Sequence, residues 1–93
     1  MNELKKVFNK AAAPVEKALF KAKLGILQRS GHVADDTFAK AVTRASADFG
    51  VEETAFRDAF GLSSGAVARW SNGKNLPHPM VRPKILGWLK TQI

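Results

Sequence analysis

The stretch from Glu53 to Pro77, ETAFRDAFGLSSGAVARWSNGKNLP, constrains this chain more than any other. Phe56 and Phe60 lie four apart on one helical face, and Leu62, Val67 and Trp70 continue the apolar pattern beyond Gly61. All five can therefore converge on one small core. Gly61 directly follows a run with helical spacing. Glycine enters the left-handed backbone region without a Cβ clash, a common way for a helix to end, so the spacing predicts a tight turn there. Ser63 stands before the second run, where its hydroxyl can accept a bond from an orphaned N–H of a new helix. That helix is predicted from about Ser64 to Ser71, with Val67 and Trp70 inward and Ser64, Gly65, Ala68 and Arg69 outward. Asn72 and Gly73 signal a turn, and Lys74, Asn75, Leu76 and Pro77 form a polar, basic connector with one apolar anchor.

Phe56, Phe60-Gly61-Leu62-Ser63, Val67, Arg69-Trp70, Gly73 and Leu76-Pro77 together resemble the helix-turn-helix of the lambda-repressor-like DNA-binding family, the Cro and XRE type, over residues 34–90. Two positions depart from the family's pattern. Arg57 stands four before the turn glycine, where the family usually carries a small residue. Either the helices splay there or Arg57 snorkels its charge outward along an apolar stem. Gly65 stands where family members often carry a long polar side chain. The resemblance implies a compact four-helix DNA-binding unit from Asp35 onward. Its second motif helix would lie in the major groove while the preceding helix crosses the backbone.

The charge distribution points the same way. The net charge is +7, with fifteen Lys and Arg against eight Asp and Glu. Residues 61–93 carry Arg69, Lys74, Arg82, Lys84 and Lys90 and no acid at all, whereas residues 30–60 are net acidic. A polyanion would prefer the acid-free third. Arg69 is the candidate base reader, because a guanidinium can bond guanine O6 and N7 together. Ser64 can bond several bases, while Gly65 and Ala68 allow close approach and contact with a thymine methyl. Thr54, Ser63, Asn72, Lys74, Asn75 and Arg82 are the candidate phosphate contacts, which set affinity and register. Trp70 is a core residue by its spacing with Val67.

Residues 1–30 are expected to form an amphipathic helical extension to a DNA-binding domain at 31–93. Leu4, Phe8, Ala11, Val15, Ala18, Ala22 and Ile26 make one helical stripe, widened by Leu19, Phe20, Leu24 and Leu27. Lys5, Lys6, Lys10, Lys17, Lys21 and Lys23 stud the rest. Pro14 predicts either a kink or a break near Ala12. Ser30, Gly31 and His32 read as a linker. The extension serves oligomerisation, support of the core or added phosphate contacts, and a two-fold homodimer would multiply the specificity of a short reading helix. The next helix begins near Asp35 or Asp36, presents Phe38, Ala41, Val42, Ala45 and Phe49 inward and stops at Gly50. The last begins between Pro79 and Pro83 and carries Ile85, Leu86, Trp88 and Leu89. The expected fold class is all-α.

Ninety-three residues suffice for one domain. The absence of cysteine excludes disulfides and thiolate metal sites, and the lack of a signal peptide or long apolar run reads as a cytoplasmic, nucleoid-associated chain without a membrane partner. His32 and His78 have no partner at metal-ligand spacing, and no nucleophile motif occurs. Gly73-Lys74-Asn75 fails the phosphate-loop pattern, which needs Ser or Thr where Asn75 stands. The sequence therefore predicts a nonenzymatic binder of double-stranded DNA that regulates transcription, by repression rather than activation. No cofactor, metal or small-molecule substrate is expected. The competing expectation is a protein-interaction or architectural module that touches DNA only nonspecifically.

Overall fold

The computed structural model describes the backbone of residues 2–93 and the side chains from residue 14 onward. The stripe positions Leu4, Phe8 and Ala11, and the lysines Lys5, Lys6 and Lys10, lie outside the described side chains. Five helices follow in order: α1 (Asn2–Ser30), α2 (Asp35–Ala47), α3 (Glu53–Phe60), α4 (Ala66–Ser71) and α5 (Arg82–Gln92). No strand occurs among the described residues, so the fold is an all-α bundle. No helix among them is long and apolar enough to cross a membrane.

Pro14 lies inside α1, which runs without a break from Asn2 to Ser30, so the division expected near Ala12 does not occur. Proline costs one i to i−4 hydrogen bond, and strong helix formers on both sides, Ala11 to Ala13 and Glu16 to Ala18, outweigh that loss.

The face that α1 turns to the core also differs from the expected stripe. Phe20 and Leu24 are buried and Leu27 packs against them, whereas Val15, Leu19 and Ile26 are exposed. Phe20 and Leu24 join Phe38 and Val42 of α2, Phe56 of α3, Val67 and Trp70 of α4, and Ile85, Leu86 and Leu89 of α5 in one buried cluster. Residues 20–27 are part of the same core as the helices that follow.

Aromatic pairs fasten the helices to one another. The Phe38 and Trp70 rings meet edge to face at 5.5 Å, joining α2 to α4. Trp88 of α5 meets both Phe56 and Phe60 of α3 in the same way, at 5.1 and 5.2 Å. Helix α2 is regular to Ala47, Asp48 keeps right-handed geometry with its N–H on the Arg44 carbonyl, and the chain turns out at Gly50, where φ is 69° and the Val51 N–H reaches back to the Ala45 carbonyl at 3.0 Å. Phe49 still packs inward from this tail, stacked on Phe20 at 4.9 Å, and the Arg44 guanidinium lies over both rings. Between the two prolines competing to start α5, Pro83 falls in its first turn, where a missing N–H costs nothing.

Candidate nucleic-acid interface

The turn after α3 forms where the sequence placed it. Gly61 adopts φ 64° and ψ 37°, and both its N–H and that of Leu62 donate to the Arg57 carbonyl, closing the helix. Leu62 then packs against the core, so the chain is turned toward α4 by one left-handed residue and one apolar anchor.

The start of α4 is not as expected. The helix begins at Ala66, and Ser64 and Gly65 lie in the turn before it, leaving six helical residues. Gly65 has φ 83° and ψ −3°, a left-handed conformation that continues no right-handed helix. The Ser63 hydroxyl does not cap the new helix. Its backbone carbonyl accepts the Ala66 N–H at 3.3 Å, while its hydroxyl accepts Arg69 Nη2 at 3.2 Å.

The side chain at the start of α4 is instead Glu53, whose Oε1 accepts the Gly65 N–H at 2.8 Å. This bond spans twelve residues and ties α4 to the first turn of α3. A capping box is sought three residues after a cap, so no local spacing could have revealed it.

Arg69 folds back rather than extending from the helix. Its guanidinium bonds Ser63, and its Nη1 lies where a Cβ on Gly65 would come within 3.2 Å of it. Ser63, Gly65 and Arg69 are thus gathered at one end of α4, with Ser64 exposed beside them. Ala68 and Asn72 are exposed one turn apart, and the Asn72 side-chain amide donates to the Ala68 carbonyl at 3.1 Å.

The far end of α4 closes with a paired cap. The Gly73 N–H donates to the Trp70 carbonyl at 3.0 Å and the Lys74 N–H to the Arg69 carbonyl at 2.8 Å. Lys74 and Asn75 are exposed just beyond. Asn75 also takes a left-handed conformation, at φ 49°, and its carbonyl accepts the Trp70 indole N–H at 3.0 Å. Trp70 is therefore a core residue with its polar atom satisfied. Thr54 is exposed on the first turn of α3, away from these groups in sequence but on the helix that Glu53 links to α4.

Arg82 is corrected from a phosphate contact to an internal clip. Its side chain is 7% exposed, Nη1 donates to the Val33 carbonyl at 2.8 Å and to Asp35 Oδ1 at 2.7 Å, and Nε donates to the Pro77 carbonyl at 3.0 Å. A guanidinium this deeply buried, with Nη1 and Nε both bonded inside the fold, is not offered to a phosphate at the surface. Its position in the first turn of α5 directs it across the Phe38 ring toward the start of α2. Of the two alternatives at Arg57, splayed helices or a snorkelling side chain, the second holds at most in part, since Arg57 is half-buried and its buried Nε has no hydrogen-bond partner.

With Arg82 consumed by Asp35, the cations of the acid-free third at the surface are Arg69, Lys74, Lys84 and Lys90. A groove of about 520 Å³ separates the outer side of α2 from the end of α4 and is lined by Lys40, Thr43, Arg44, Ser71 and Asn72, among others. Its two cations already face carboxylates of their own helix, Lys40 at 3.9 Å from Asp36 and Arg44 at 3.4 Å from Asp48. The groove is therefore nearly neutral, while the end of α4 carrying Lys74 is not. Comparison with protein-family models, with curated proteins and with solved structures finds no match to this chain.

Proposed function

We propose that this chain is a noncatalytic, duplex-DNA-binding regulator of the lambda-repressor-like kind, acting as a homodimer and repressing by occupying a promoter. The observation that carries the reading is the surface around α4. Exposed Ser63, Ser64, Ala68 and Asn72 offer hydroxyl, methyl and amide groups to base edges and phosphates, Arg69 and Lys74 bracket them, and no acid occurs in residues 61–93. Arg69 can be released from the Ser63 hydroxyl at the cost of one exposed hydrogen bond, about 1 kcal/mol, which a bidentate contact with guanine would replace.

One feature favours the architectural reading. Helix α4 has only six residues, and its start is already occupied by the Glu53 carboxylate, so it offers fewer base-facing positions than the sequence suggested. Selection of the protein against a randomised duplex pool at two salt concentrations distinguishes the two. Enrichment of a short two-fold-symmetric motif is the result expected for a specific regulator. Uniform, strongly salt-dependent retention without an enriched motif would replace it with nonspecific phosphate binding.

A further inference from the structure

Helix α1 carries two apolar faces, and only one is used. Phe20, Leu24 and Leu27 face the core. Val15, Leu19, Ala22 and Ile26 follow a 4-3-4 spacing that places them roughly 140° around the helix from that face. Val15, Leu19 and Ile26 are 60%, 65% and 60% exposed, and together they are most of the large exposed apolar side chains among the described residues. An apolar row of this kind on a surface helix marks an interaction site rather than ordinary scatter. The 4-3-4 spacing is that of a coiled-coil seam, with Val15 and Ala22 at d positions and Leu19 and Ile26 at a positions.

We infer that this outer stripe is the surface on which a second copy of the chain docks, α1 against α1 and antiparallel. Val15 of each copy packs on Ile26 of the other, and Leu19 packs on Ala22. The charges beside the seam choose this arrangement. Glu16 and Lys23 occupy its e positions, both exposed, and an antiparallel pair in this register sets Glu16 of each copy opposite Lys23 of the second copy. Sliding by one heptad in one direction would set Glu16 against Glu16, and in the other Lys23 against Lys23. A parallel pair would set both charges against alanines, Ala11 and Ala18, and gain nothing. Within one chain the two charges have no such purpose. Neither has an oppositely charged residue three or four positions away on α1, where helix pairs form. Ala18, exposed on the other side of the seam, adds no bulk there.

This inference supplies the contact surface for the homodimer in the proposed function, and its test needs no DNA, so either can fail alone. Sedimentation equilibrium of the full chain over a range of concentrations measures the mass. A concentration-dependent monomer–dimer equilibrium is expected. Leu19→Glu, a substitution on an exposed position that leaves the core intact, should weaken the dimer by about 100-fold or more, because it buries two unpaired charges by symmetry. Glu16→Lys should weaken it by about tenfold, and adding Lys23→Glu should restore it to within about threefold of the original, since the swapped pair is again complementary. A monomer at every concentration overturns the inference, as does a dimer indifferent to Leu19→Glu. Disruption by Leu19→Glu without rescue by the charge swap overturns the antiparallel register. Binding of the monomer to anionic vesicles, lost in Leu19→Glu, would give the stripe to a membrane surface instead.

Discussion

The seam between α1 and α5 and the turn between α3 and α4 are built on opposite plans. At the seam, two long helices bury Phe20, Leu24, Ile85, Leu86 and Leu89, and each helix has a glycine that accommodates a long side chain of the other. The Lys90 ammonium lies 3.2 Å from where a Cβ on Gly25 would stand, and the Gln28 amide lies 2.5 Å from where one on Gly87 would stand. At the turn, two short helices each send their inward residues, Phe56, Val67 and Trp70, to the shared core, while the link from one to the other is polar, the Glu53 carboxylate on Gly65, with the Arg69 guanidinium on Ser63 beside it. The first region joins its helices through apolar burial, whereas the second is buried on its inner side and keeps Ser63, Ser64, Ala68, Asn72 and Lys74 at the surface. Stability is therefore concentrated away from the candidate interface, which leaves residues such as Ser64, Ala68 and Lys74 free to be chosen by what they contact.

The sharpest way to break this contrast is to cut the link between its halves. Phe38 is fully buried on α2 and touches Trp70 of α4. Phe38→Ala should lower the unfolding free energy by about 3–5 kcal/mol, read from urea denaturation, and a loss confined to the α3–α4 region in hydrogen exchange would contradict a shared core. Arg82→Ala comes next. It strands the Val33 and Pro77 carbonyls and removes a guanidinium lying over the Phe38 ring, a cost of about 2–3 kcal/mol. Asp35→Asn, by contrast, should cost under about 1 kcal/mol, because the Asp35 side chain is 80% exposed and returns readily to water. Equal melting-temperature losses in the two variants would mean that the ion pair, rather than the backbone clip, holds α5 to α2.

Smaller effects sharpen the picture at the turn. Gly65→Ala should cost about 1–2 kcal/mol through its left-handed backbone alone, and its new Cβ would also crowd Arg69. Calorimetric unfolding of this variant beside Gly61→Ala, which meets nothing within 4 Å, separates the two contributions. Lys74→Ala should change stability by less than about 0.5 kcal/mol. It should also reduce the slope of log affinity against log salt by about one if Lys74 contacts a phosphate. An unchanged slope would remove Lys74 from the interface.

The elements with apolar spacing of their own were legible in the sequence. Phe38, Val42 and Ala45 marked α2, Phe56 and Gly61 marked the end of α3, and the Val67–Trp70 spacing correctly placed both residues in the core. What was not legible depended on partners distant in sequence. Nothing near Arg82 indicates that Val33 and Asp35, more than forty residues earlier, will occupy its guanidinium. Nothing near Gly65 points to Glu53. The role of each face of helix α1 was open for a different reason: the helix is apolar on two faces, and periodicity alone cannot say which one meets the core. The larger side chains, Phe20, Leu24 and Leu27, took that place because they bury more area per residue than the alanine-rich stripe.

The proposed function puts DNA binding on the polar, basic surface around α4 and leaves stability to the inward side chains. Its most direct test is the double variant Arg69→Ala and Lys74→Ala, titrated with duplex DNA beside the unsubstituted protein at low and moderate salt, with the urea midpoint of each measured in parallel. A midpoint shift worth less than about 1 kcal/mol is expected together with at least about a tenfold loss of DNA affinity. Undiminished DNA binding by a folded double variant would contradict the proposed function.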